Sequence, residues 1–259
     1  MKTDFERITR AGLIKTLDDF QSQNKLVLSN FFGLSESLNY DIMRSESTLI
    51  LRVAEFDYHR IFVLCANTLE LADMLKSLDT EYVINIPSKK GIDNWCGLLE
   101  KSGFEHFATY SHYLNLAVPD MKKRPTSTGE FAKLDELQQI YDLLYRSFTT
   151  YASHLPSKEE LREMISNNRM FVDHDNNGNV CGVNIFTITG TNAYGNAWVD
   201  EGERGLDIFI DMFNLFIDKG VKRFTFWVND RNNKVIKMHK IMGAKPDGLK
   251  DYTYIKHKK

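Results

Sequence analysis

Two stretches of this chain carry one pattern, about 140 residues apart. Residues 81–116 read EYVINIPSKKGIDNWCGLLEKSGFEHFATYSHYLNL, and residues 222–256 read KRFTFWVNDRNNKVIKMHKIMGAKPDGLKDYTYIK. Each passes from an apolar strand through a polar turn into a helix-period stretch. That stretch closes on a glycine and an apolar residue, Gly103-Phe104 in the first copy and Gly243-Ala244 in the second. A strand rich in Tyr and Thr follows. A unit that returns once, at that distance, constrains the chain to a doubled domain rather than a solenoid of short repeats. The copies differ at the positions where chemistry would sit, so one half is expected to work while the other supports it.

Size and composition allow this. With 259 residues the chain has room for two domains, each able to bury a core. Hydrophobic content of 42% and charged content of 26% are those of a globular protein. The formal net charge is −2, and no long basic run occurs outside Lys256-His257-Lys258-Lys259, so nucleic acid is not expected as a bulk electrostatic partner. No apolar run reaches about 18 residues, so no membrane span is expected. The opening MKTDFERITR lacks a signal-peptide core. Cys65, Cys96 and Cys181 are odd in number and sit in apolar contexts, as in a reduced, cytoplasmic protein. No metal-ligand spacing occurs.

The polar segment 119–129, with two prolines, reads as a linker. It divides the chain into an N-terminal domain at 1–118 and a C-terminal domain at 130–259. In the first, 26–34, 48–56, 59–66 and 82–86 read as strands. Residues 69–78 read as a short amphipathic helix, and 5–23 as one or two opening helices. In the second, apolar spacing from Leu134 to Phe148 predicts a helix, and Ser157 with Glu159 and Glu160 opens another. A hairpin follows at Asn176-Asn177-Gly178-Asn179. Strands at 192–199, 221–228 and 249–256 flank helices at 207–219 and 232–242, with Gly220 closing the former. The order is mixed α/β, with a largely antiparallel start and one crossover. Trp95, Trp198 and Trp227 read as core residues.

Three stretches of the second half resemble the GCN5-related N-acetyltransferase (GNAT) family. They are Val199-Asp200-Glu201-Gly202-Glu203-Arg204-Gly205 at a strand end, Trp227-Val228-Asn229 at the next strand end, and Asn232 followed by His239-Lys240-Ile241-Met242-Gly243-Ala244. The resemblance covers residues 130–256 and implies two GNAT-like domains in tandem, each a twisted, largely antiparallel α/β sheet flanked by helices. It implies acetyl-CoA as co-substrate, its pyrophosphate held by backbone N–H groups at a helix N-terminus. Trp198, Val199, Arg204, Gly205, Leu206, Asp207, Ile208, Asn229 and Asn232 occupy the cofactor-binding positions. Asp207 and Phe209 stand where the family has small residues. A carboxylate there opposes the pyrophosphate by ~1 kcal/mol or more, and Asp207 can equally cap the helix.

In the same resemblance, His239 takes the place of a general acid that protonates the departing thiolate, and Asp200 that of a base acting through water. Backbone N–H at Trp198-Val199 would stabilise the oxyanion. The first copy has Leu99 in place of His239 and Ala66-Asn67-Thr68 in place of the Arg-Gly loop, so it is expected to be non-catalytic. The implied activity is acetyl transfer to the amine of a small molecule or peptide. Two rivals are a GNAT scaffold kept for binding alone and a doubled-GNAT aminoacyl transferase, which would take aminoacyl-tRNA.

Overall fold

The computed structural model describes residues 4–35, 38–125, 129–151, 155–202 and 205–258. The first half runs β1 (Glu6–Arg7), α1 (Arg10–Gln23), β2 (Leu28–Ser29), β3 (Asp41–Arg44), β4 (Thr48–Glu55) and β5 (Tyr58–Cys65). It continues with α2 (Thr68–Lys76), β6 (Tyr82–Ser88), α3 (Asp93–Lys101) and β7 (Glu105–Asn115). The second half runs β8 (Glu130–Phe131), α4 (Leu137–Ser147), α5 (Lys158–Ser166), β9 (Met170–His174) and β10 (Val180–Thr189). Then come β11 (Asn192–Asp200), α6 (Gly205–Asp218), β12 (Arg223–Asn229), α7 (Asn233–Ile241) and β13 (Lys245–Lys256). The class is mixed α/β with mostly antiparallel pairing.

Two compact units emerge, Met1–Thr109 with Lys250–Lys259, and Tyr110–Leu249. The division expected at 119–129 lies inside the second unit, for a physical reason. This polar stretch is strapped along α6: the Arg124 N–H donates to Asn214 Oδ1 at 3.1 Å, and Asn214 Nδ2 donates to the Arg124 carbonyl at 2.8 Å. The Gly129 N–H donates to Asp211 at 3.0 Å, and Val118 is fully buried in the core beneath α6.

In the first unit the strand order is β1-β3-β4-β5-β6, followed by residues 250–256 of β13. Only β5 and β6 run parallel. Alternation sorts the core by face, as pleating requires. Ile61, Val63 and Cys65 of β5 join α2 and α3 residues such as Leu71, Leu75, Trp95 and Leu99. Leu49, Leu51 and Val53 of β4 join Leu13, Leu17 and Phe20 of α1. The long strand expected at 26–34 is reduced to Leu28–Ser29, because that segment pairs with β5 only briefly.

The second unit orders its strands β7-β12-β11-β10-β9-β8, with β11 and β12 the parallel pair. Val183, Ile185 and Val199 face α4 and α5, while Phe186, Ala193, Phe224 and Phe226 face α6. The Ser157 hydroxyl and the Glu160 carboxylate form a capping box at α5. Gly178 takes φ +81° in the β9–β10 turn, as its Asn-Gly sequence requires. The two copies of the sequence pattern end their helices in the same way. Gly103 (φ +85°) and Gly243 (φ +84°) close α3 and α7, and the next N–H, of Phe104 or Ala244, donates at 3.0 Å to the carbonyl of Leu99 or His239.

Candidate functional site

Each parallel strand pair opens beyond a short paired stretch. In the second unit β11 and β12 pair from Asn192↔Arg223 to Gly195↔Phe226, after which Ala197–Asp200 pairs with β10 alone among the described residues. Gly195 allows this close approach, since a Cβ there would stand 3.1 Å from the Phe224 ring and 3.2 Å from Phe226 Cβ. The register slips immediately afterwards, with Ile185 opposite Ala197 and Phe186 opposite Gly195, so Asn196 is a bulge. The result is a wedge, narrow at Asn196 and Trp227, wide at Asp200 and Asn229.

The first unit has the corresponding wedge, and its own chain fills it. Parallel pairing of β5 and β6 ends at Ile61↔Ile84. The Val27 N–H then donates to the Cys65 carbonyl (2.8 Å) and the Asn30 N–H to the Val63 carbonyl (3.3 Å). Asn30, 3% exposed, accepts from the Val63 N–H (2.7 Å) and donates to the carbonyls of Ile61 (3.2 Å) and Asn85 (2.9 Å). At α2 the Asn67 side chain caps the first N–H groups, those of Leu69 and Glu70, leaving them engaged.

His239 lies on the α6 side of the second wedge. It is 5% exposed, stacked 3.8 Å from the Phe226 ring and edge-on to Phe209 at 5.2 Å. Burial lowers its pKa to about 4, so the imidazole is neutral at physiological pH. The expected imidazolium acid is therefore corrected: an apolar wall does not support the cation. Trp198 packs on Phe209 at 5.2 Å. Its buried Nε1–H, and the Nδ2 of Asn184 opposite it in register, find no acceptor among the described residues.

Other sequence-derived residues divide in the same way. Trp198 and Val199, whose backbone was expected to stabilise the oxyanion, sit in regular pairs with Asn184 and Val183, and the backbone irregularity is at Asn196. Asp200 lies four residues past that bulge, ~13 Å along a strand. It accepts from the Gly202 N–H at 3.0 Å, and desolvation raises its carboxyl pKa. This carboxylate therefore stands at the wide end of the wedge, away from the Asn196 bulge. Glu203 and Arg204 fall outside the described residues. Gly205 begins α6, Ile208 is fully buried and Leu206 is exposed. Asp207 is the third residue of that helix, within its first turn rather than at the capping position. Asn232 caps α7 by accepting from the Val235 N–H (3.2 Å), and Asn229 accepts from the Arg231 N–H (2.9 Å). Both carboxamides shape the turn.

On the opposite face of the wedge Trp227 is 43% and Tyr194 47% exposed. The core role expected for Trp227 is thus corrected: alternation along Phe226-Trp227-Val228 turns it away from α6. His112 of β7 lies opposite Trp227 in register, with ring centroids 4.9 Å apart, and its Nδ1 is 2.9 Å from Asp247 Oδ2. No local sequence signal could join residues separated by 135 positions. A polar cleft of about 830 Å³ adjoins the end of β11, lined by Asp142, Arg146, His174 and Glu201 among others. Two of the lining side chains are in ion pairs, Arg146 with Glu201 inside the cleft and His174 with Glu136 beside it. Among the described residues no group of three or more His, Cys, Asp or Glu is arranged for a metal, and no helix is long and apolar enough to cross a membrane.

No protein-family model and no curated protein matches the sequence. Solved structures do match. A GCN5-related N-acetyltransferase from Sphaerobacter thermophilus is 10% identical, with TM-score 0.59 over 94% of this chain and 84% of that one. The chain has the GNAT fold. A tandem GNAT protein from the clavulanic acid biosynthesis pathway is 11% identical, with TM-score 0.54 over 97% of each chain. A GNAT-family acetyltransferase from Colwellia psychrerythraea is 9% identical, with TM-score 0.54 over 98% of this chain and all of the other. Of the chain's two wedges, one is filled by its own segment, and in the other the β11 edge beyond Gly195 pairs with no second strand among the described residues.

Proposed function

We propose that the second unit binds acetyl-CoA along the open edge of β11 and transfers the acetyl group to a primary amine of a small molecule or peptide. The observation that carries this reading is the Asn196–Asp200 edge, which faces no second strand among the described residues, set against the same edge of the first unit, which Val27–Asn30 occupies. An extended chain bearing amides suits such an edge, and the pantetheine arm of acetyl-CoA is one. The buried Trp198 Nε1–H has no acceptor among the described residues, and a ligand carbonyl or phosphate oxygen would supply one. The first turn of α6, from Gly205, offers backbone N–H groups to the diphosphate. The acyl carbonyl belongs at the narrow end, where the Asn196 bulge frees backbone from the ladder.

Asp207 favours a second reading, a scaffold that no longer binds the cofactor, because its carboxylate stands within that first turn. Thermal denaturation with acetyl-CoA, CoA or ATP separates the two. Saturating acetyl-CoA or CoA is expected to raise Tm by on the order of 5 °C, ATP by much less, and Asp207→Ser to enlarge the shift. No shift at millimolar acetyl-CoA in either the parent or Asp207→Ser rules out the transferase reading.

A further inference from the structure

Resting on that acyl-transfer reading, we propose that His112 is the general base that deprotonates the acceptor amine, with Asp247 its positioning residue and Trp227 and Tyr194 the seat of the ammonium. The geometry supplies each part. An ionised carboxylate only accepts hydrogen bonds, so the 2.9 Å contact to Asp247 Oδ2 fixes the proton on His112 Nδ1. Nε2 is then the basic nitrogen, and it has no hydrogen-bond partner among the described residues. Asp247 is itself held, accepting from the Leu249 N–H at 2.9 Å. Such a carboxylate–imidazole pair keeps the ring in one tautomer and stabilises its protonated form.

Position supports the same role. His112 lies across from Trp227, one residue beyond the last parallel pair, Gly195↔Phe226, and so at the narrow end of the wedge. Asp200 stands at the wide end. Trp227 and Tyr194 project from the same face, Tyr194 opposite Thr225 and Trp227 two residues further along β12. Two exposed aromatic side chains beside the His112 ring suit a primary alkylammonium, which aromatic rings attract through their quadrupoles.

The step balances without further reactants. One proton passes from the ammonium to His112 Nε2, and the freed amine attacks the thioester carbonyl carbon. The C–N bond forms and the C–S bond breaks with its electron pair on sulfur. The second amine proton neutralises the thiolate, giving an amide and CoA, and His112 returns its proton to solvent.

The test begins with acetyl-CoA binding by thermal shift. Thiol release from acetyl-CoA is then followed with n-butylamine, benzylamine, spermidine and Nα-acetyllysine. The parent is expected to turn over at least one of these. His112→Gln should lower kcat about 10²-fold with the acetyl-CoA shift unchanged. Asp247→Asn should lower kcat about tenfold or more at unaltered acetyl-CoA KM. Trp227→Leu should raise the amine KM several-fold with kcat largely kept. Imidazole in the buffer should restore part of the rate to His112→Gly, which loss of packing alone would not allow. Three results overturn this assignment while leaving the acyl-CoA reading intact: kcat of His112→Gln within twofold of the parent, no imidazole rescue, or no amine acetylated by a protein that binds acetyl-CoA. Absence of acetyl-CoA and CoA binding overturns the reading and the assignment together.

Discussion

His239 shows how far one side chain's role depends on neighbours the local sequence does not name. Its helix position, four residues before Gly243, followed from spacing, as did the Asn232 cap. Stacking on Phe226 and Phe209 did not, because those rings come from β12 and α6. The consequence is a pH-dependent stability. A histidine in the unfolded chain titrates near 6.5, and in the folded protein it titrates at about 4. The folded pKa is the lower one, so the unfolded chain takes up a proton first as pH falls. Stability is complete above about pH 6.5 and is lost from there down to about pH 4, by up to ~3 kcal/mol. His239→Leu, which copies Leu99 of the first repeat, should flatten this part of the Tm–pH curve between pH 7.5 and 4.5. Parallel curves for parent and variant would mean that the imidazole titrates freely in the folded protein. His239→Phe should keep the ring stack and leave acetyl transfer near the parental rate.

Among the elements, β2 is the most informative. Apolar composition marked 26–34 as extended, yet composition cannot say that four residues of it would enter a wedge between two other strands. Asn30 fixes the outcome by serving three backbone groups on β5 and β6 at once. Asn30→Ala should leave the Val63 N–H and the Ile61 and Asn85 carbonyls unserved in a buried site, costing about 2–4 kcal/mol by urea denaturation. Hydrogen exchange at Val63 should accelerate while CoA binding by the second unit is kept. A change below about 0.5 kcal/mol would show that β2 pairing alone fills the wedge. Strand β3 escaped the sequence reading for a related reason. Its charged ends, Asp41 and Arg44, are matched by Arg7 and Arg52 and by Glu6, partners that only pairing brings near. By contrast α5, α7 and the Asn-Gly turn were legible, because their caps and φ angles are settled within a few residues.

For the molecule as a whole, the repeat was legible and its wiring was not. Each copy reads as strand, helix, strand, but the closing strands serve opposite units: Tyr110–Asn115 pairs with β12, and Lys250–Lys256 pairs with β6. Nothing in a local pattern distinguishes a strand that returns to its own half from one that does not. Deleting 250–259 should therefore unfold the first unit. It removes buried Thr253, Tyr254 and Ile255, and Lys256, whose Nζ donates to the Leu75 carbonyl at 2.6 Å. Losses of ~2–5 kcal/mol per large buried side chain exceed what a marginally stable unit holds in reserve. Hydrogen exchange should show β4 and β5 unprotected and β9 and β10 still protected; undiminished protection in β4 and β5 would contradict this wiring. The same connectivity sets an order in time. Domains generally fold in the order in which the ribosome releases them. Here residues 250–256 emerge only after all of 110–249, so the half that is synthesised first is the last to close, and the edge of β6 waits exposed through the making of its sister.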